Sequence, residues 1–382
     1  MAISDKMTDS KSKPMIVIIG AGIIGLTTAL RLQAQLPSSS TDILLVAKEW
    51  PTSIPGAPPS HSVDYASMWA GAHVRPIPAS TPQLTREAAW LKTTCTEFAR
   101  QVEKEPSIGV TSTKGVEFLD NPPKDYAAQT KESFEKETGL VGYRRCNTGE
   151  LPEGAKLGYE YSTYCINAPV YCANLLRKFI ARGGRTMQRD LRTEWEAFIL
   201  RDNVKVVINA SGMGFGDTKC FPTRGQTVVT DLVEATRTVT RQNQDGSWSF
   251  IIPRFFAGGT IMGGTKEPGS WHAEPNPTQR AKLLKGGNAL TKYATDEAVR
   301  APQDVNVIAD VVGRRPTRDG GVRIQVEEKQ LTGRDGELRT GHVVHAYGAG
   351  GRGFEISWGV ADEVSQLACQ VFRDLIGTKS KL

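Results

Sequence analysis

Across the 382 residues no apolar run approaches the roughly 20 needed to cross a bilayer as a helix, which argues against a membrane-spanning protein. The leading stretch MAISDKMTDSKSKP is polar and has no apolar segment of the kind a secretory signal carries. Six cysteines, Cys95, Cys146, Cys165, Cys172, Cys220 and Cys369, are scattered without CxxC spacing. A reduced intracellular compartment is the simpler reading. Five histidines are equally dispersed. Two of them, His342 and His345, stand three apart in GHVVHAYG, which reads as a strand, so they face opposite ways and no metal is expected there. Basic residues number 47 against 41 acidic, a net charge of +6, with no dense basic run interleaved with aromatics; no nucleic-acid partner is expected.

What remains is an ordinary globular composition, 39 % apolar and 23 % charged, in a chain long enough for two domains or one large domain with insertions. Its first informative feature is MIVIIGAGIIGLTTALRLQAQL. Met15 to Ile19 form a buried-type strand, Gly20, Gly22 and Gly25 follow in GxGxxG spacing, and a helix runs on until just before Pro37. In such a turn the first glycine permits the sharp bend, the second lets backbone approach a pyrophosphate, and the third lets the helix lie close to the strand. The helix N-terminus, with Ala21, Ile23 and Ile24, then faces the negative charge. A second strand, DILLVAKEW, should end in an acid for a ribose. It ends Ala47-Lys48-Glu49, the acid one or two positions late and Lys48 nearer a phosphate role, which argues against a simple NAD site.

Near the other end, Val343 to Tyr347 read as a strand followed by Gly348, Gly350, Gly351 and Gly353. A helix then places Ile356, Val360, Val364, Leu367, Val371 and Leu375 on one face. This is a second strand–turn–helix with amides aimed at a ligand. A third piece, KVVINASGMGFGD at 205–217, is a short buried strand ending in Ala210, Ser211 and Gly212, small enough for backbone to approach a cofactor. Three such segments far apart in sequence imply a discontinuous cofactor domain. Between them lies VGRRPTRDGG, residues 312–321, with three arginines in five positions. Arginine forks grip anions, but in an extended strand Arg314 and Arg315 cannot point into one pocket.

Together these pieces resemble the D-amino-acid oxidase family, which includes D-aspartate oxidase, from about Met15 to the end of the chain. The resemblance is carried by IIGAGIIGLTTAL, MWAGAHVRP (68–76), VVINASGM (206–213), RGQ (224–226), FIIPR (250–254), GGT (263–265), VGRRPTRDGGVRI (312–324) and VVHAYGAGGRGFEISWG (343–359), in that order; fungal members look most similar. It implies an α/β plus α+β architecture: a Rossmann-like FAD-binding domain made of residues 14–60, 160–220 and 305–375, and a substrate domain of residues 61–159 and 221–304 on a mixed or antiparallel sheet. Residues 376–382 would form a C-terminal tail. It implies non-covalent FAD, contacted by the glycine turns, by Ala70 and Gly71, and by Phe354 after the tail glycines. It also implies the reaction. A hydride leaves the Cα of a D-amino acid for flavin N5, the imino acid hydrolyses to a 2-oxo acid and ammonia, and O2 returns as hydrogen peroxide. The protein then supplies mainly orientation and electrostatics.

On the same resemblance Arg315 pairs with the substrate α-carboxylate, Gly351 contacts the flavin, Arg314 falls at a variable position and Arg318 lies toward the surface. Phe250 stands where the family usually has a tyrosine, so one hydrogen bond to the carboxylate is missing. Arg75, Lys266 and Arg352 fall near pocket-lining positions and together tilt the expected substrate toward D-aspartate or D-glutamate. The last residues, Ser380-Lys381-Leu382, form a peroxisomal address read by an import receptor, and a homodimer is a family-level expectation. A glycine- or sarcosine-type amine oxidase, a biosynthetic oxidase of a larger carboxylated amine and a non-catalytic flavin binder remain open alternatives.

Overall fold

The computed structural model describes residues 13–52, 61–296, 305–332 and 336–377. Ser380, Lys381 and Leu382 lie outside them. Two sheets organise the chain. The first has six strands in the order Arg323–Thr332, Leu338–Tyr347, Val204–Asn209, Met15–Ile19, Asp42–Ala47 and Arg185–Gln188. It is parallel apart from the hairpin of its first two strands. Its central strand is apolar throughout because both faces are covered. Ile16 and Ile18 join the core beneath the helices Ile23–Gln35 and Ser357–Gly377, while Met15, Val17 and Ile19 join a separate core against Ala197 and Leu200. The two helices are tied where Thr27 Oγ1 donates to the Ser357 carbonyl at 3.2 Å.

The second sheet is larger and mixed. Its order is Glu267–Pro268, Cys220–Thr230, Thr260–Gly263, Trp248–Pro253, Arg237–Gln242, Val110–Leu119, Leu157–Ile166 and Ala72–His73, with Val307–Arg318 pairing along the far edge of Cys220–Thr230. Most pairs are antiparallel; Arg237–Gln242 and Val110–Leu119 run parallel.

Two segments expected in the cofactor domain, Val307–Arg318 and the part of Leu157–Ile166 from residue 160 on, hydrogen-bond into the second sheet and not the first. An extended apolar segment carries no mark of which sheet it joins; the partner strand decides. The consequence is functional, because Arg315 is delivered to the site from the second sheet and the glycine turns from the first.

Candidate active site

The three segments singled out in the sequence meet at the carboxyl ends of the first sheet's central strands, where ligands of open α/β sheets bind. Gly20 N donates to the Val46 carbonyl at 2.8 Å, Ala210 N to the Ile19 carbonyl at 2.9 Å and Gly348 N to the Gly212 carbonyl at 2.9 Å. Gly20 has φ 103°, which only glycine takes readily, and a Cβ there would overlap the Ala210 carbonyl. A Cβ on Gly25 would overlap the Gly20 carbonyl, so the third glycine sets the closeness of helix and turn.

These turns floor a cavity of about 820 Å³ that reaches from Lys48 and Glu49 at one end to Trp248 and Phe250 at the other. Every residue expected to contact FAD lines it except Gly25, which supports the turn from behind. A cavity of this volume lined by two glycine turns and a helix N-terminus fits a dinucleotide. Three details refine the picture. Ile23 N donates to Ser67 Oγ at 3.0 Å, so that amide is already used. Lys48 pairs with Asp190 at 3.0 Å at the exposed end, not with a buried partner. The Glu49 carboxylate accepts from Ser62 N at 2.9 Å and from the Ser62 hydroxyl. Ser62, Tyr65 (whose hydroxyl donates to the Ala21 carbonyl at 2.6 Å) and Ser67 were not legible as site residues, because no spacing marks the segment that folds over the glycine turn.

At the far end Arg315 projects between the two sheets. The register pairs Arg315 with Thr223 and Gly313 with Gly225. The guanidinium lies flat on Gly225, where a Cβ would overlap it, and its Cδ packs 3.4 Å from the Cβ position of Gly351. A bridge between Thr317 and Ala349 fixes this strand to the tail turn. Arg315 Nη1 donates to the Thr265 carbonyl at 3.1 Å, and the guanidinium has no carboxylate within ion-pair distance among the described residues. Burial pulls its pKa down, only partly opposed by the charge of Glu267. A cation that is desolvated and left with open donors is a receptor for a carboxylate. The Phe250 ring lies against Gly263 and Gly264, where a Cβ would collide with it, so it forms a flat wall without a hydroxyl.

The neighbouring arginines go elsewhere. Arg314 turns to Asp64 at 2.9 Å and to the Trp271 carbonyl at 2.6 Å, as the alternation of a strand requires. Arg318 is not a surface residue. It pairs with Asp217 at 2.8 Å and is mostly covered, because Asp217 also accepts from the Tyr347 hydroxyl at 3.0 Å and draws Arg318 inward.

Arg75, Lys266 and Arg352 all line the cavity, but their charges differ in availability. Arg75 is 4 % exposed and its Nε donates to Glu117 at 2.8 Å. Arg352 pairs with Glu87 at 2.6 Å and Glu355 at 2.8 Å. Lys266 is exposed at the rim and has no ion pair among the described residues. His73, on the same wall, is bonded to Thr238 Oγ1 at 2.7 Å. Burial and the Arg75 charge push it down to about 3, so the imidazole is neutral at ordinary pH.

A family profile described as FAD dependent oxidoreductase matches residues 15–367. Among curated proteins, the chain is 45 % identical to a D-aspartate oxidase of Talaromyces thermophilus over 93 % of this chain and 95 % of that one. It is 30 % identical to a D-amino-acid oxidase of Schizosaccharomyces pombe over 95 % and 98 %. Among solved structures, glycine oxidase from Bacillus cereus superposes with a TM-score of 0.64 at 16 % identity, covering 93 % of this chain and 95 % of that one, a likeness of fold.

Proposed function

The chain belongs to the D-amino-acid oxidase family of FAD-dependent oxidoreductases, and from that premise we propose that it deaminates acidic D-amino acids, D-aspartate and D-glutamate, to 2-oxo acids with release of ammonia and hydrogen peroxide. FAD, held along the glycine turns, supplies the two-electron acceptor. The remaining work falls to the chain's own side chains. The observation that carries the reading is Arg315, a guanidinium without a carboxylate partner among the described residues that faces the cavity beside Gly351. It would take the α-carboxylate and so fix the substrate against the Phe250 wall. Lys266, exposed and without an ion pair among the described residues, supports a second carboxylate at the side-chain end.

Among the described residues, the titratable groups on this wall are either neutral at ordinary pH or already engaged by arginines. His73 is too weak a base, and Glu117 and Glu355 are held by arginines. The substrate amine therefore loses its proton to solvent before it reacts. In the cell we place this peroxide-forming activity in peroxisomes, on the strength of Ser380-Lys381-Leu382. A peroxide-coupled panel of D-Asp, D-Glu, D-Asn, D-Ala, L-Asp, glycine and sarcosine tests the substrate class. Acidic D-amino acids should lead; a lead for D-Ala or sarcosine contradicts the reading.

A further inference from the structure

Two arginines of the cavity wall have more carboxylates around them than they can match one for one. Arg75 and Arg352 face three carboxylates, Glu117, Glu355 and Glu87. Glu355 ties the two arginines together, since its Oε2 accepts from Arg352 Nε at 2.8 Å and its Oε1 from Arg75 N at 3.3 Å. Of the three acids only Glu117 meets the Arg75 guanidinium, at 2.8 Å, and it is 1 % exposed. Tyr161 donates to the other Glu117 oxygen at 3.4 Å.

Arg75 is otherwise poised for a ligand. Its guanidinium stacks 4.4 Å from the Trp248 ring centroid, Nη2 reaches the Tyr126 hydroxyl at 3.5 Å, and Nη1 has no protein partner among the described residues. Burial pushes Glu117 up and Arg75 pulls it back. The pair is held as guanidinium and carboxylate, because a neutral Glu117 would leave the Arg75 charge buried without a counter-ion.

We propose that Glu117 is a specificity-determining residue that acts through Arg75: by cancelling the Arg75 charge from behind the cavity wall it limits how strongly the pocket prefers a side-chain carboxylate over its neutral amide. This rests on the cavity being the substrate pocket. A charge cancelled at 2.8 Å presents a dipole to the ligand, whereas an uncancelled one presents a full field in a low-dielectric wall. Glutamine at this position keeps an acceptor for Arg75 Nε while removing the charge.

The test compares kcat/KM for D-Asp with that for isosteric D-Asn in the FAD-loaded enzyme. Glu117→Gln should raise the D-Asp/D-Asn ratio about tenfold or more. Arg75→Met alone should lower it, since a buried anion is left behind. The double variant Arg75→Met with Glu117→Met removes a neutral pair and should keep the ratio within about threefold of wild type. An unchanged or lower ratio in Glu117→Gln overturns the inference. So does a double variant that falls as far as Arg75→Met, and that comparison stands even if Glu117→Gln fails to fold. If the wild type turns over neither amino acid, the substrate reading fails. Malonate binding, followed by the perturbation of flavin absorbance, then decides: tighter binding to Glu117→Gln than to wild type supports the inference and equal binding overturns it.

Discussion

The guanidinium of Arg315 lies flat on the backbone of Gly225, with its Nη1 on the Thr265 carbonyl at 3.1 Å. A side chain at 225 cannot coexist with this arrangement. Gly225→Ala should therefore displace the guanidinium and lower kcat/KM for D-Asp by about tenfold while FAD content is kept. Arg315→Met removes the carboxylate's partner altogether and should cost about 3 kcal/mol, on the order of a hundredfold in kcat/KM. Steady-state kinetics on the two variants checks both, and near-wild-type activity in Arg315→Met would remove Arg315 from the site.

Lys266 stands exposed at the rim, where solvent screens its charge. Lys266→Met should weaken D-Asp and D-Glu by about three- to fivefold in kcat/KM and leave D-Asn nearly unchanged. A salt titration should show the same selectivity.

Phe250 offers a ring without a hydroxyl beside Arg315. Phe250→Tyr adds one donor toward the substrate carboxylate and should lower KM by an amount corresponding to about 0.5–1.5 kcal/mol. Because Gly263 and Gly264 already hold the ring, Tm should move little.

His73 carries a pH signature. Its pKa in the folded protein is pushed down to about 3, below the ordinary 6.5. Between these values the unfolded chain binds more protons than the folded one, so stability rises with pH. Stability attributable to His73 should be fully present above 6.5 and decline as pH falls toward 3, by at most about 1.4 kcal/mol per pH unit. His73→Asn should flatten this part of the Tm–pH curve. The same variant should leave in place the rise of turnover with pH that accompanies ionisation of the substrate amine.

The glycine turns were legible because they rest on local demands: Gly20 has φ 103°, and a Cβ on Gly25 would overlap the Gly20 carbonyl. Arg315 was singled out by the resemblance of the segment around it, and the structure places it on the cavity wall. The charge state of the pocket was not legible. The partner of Arg75 lies 42 residues away and one partner of Arg352 lies 265 residues away. Spacing along the chain says nothing about pairs made by a sheet that closes over distant strands. Arg318 failed as an expected surface residue for the same reason, since Asp217 and Tyr347 reach it only in the folded chain.

Anaerobic mixing of the FAD-loaded enzyme with D-aspartate and with L-aspartate tests the central reading most directly. The flavin absorbance should bleach with D-aspartate and stay unchanged with L-aspartate. Bleaching by both enantiomers, or by neither, would contradict it.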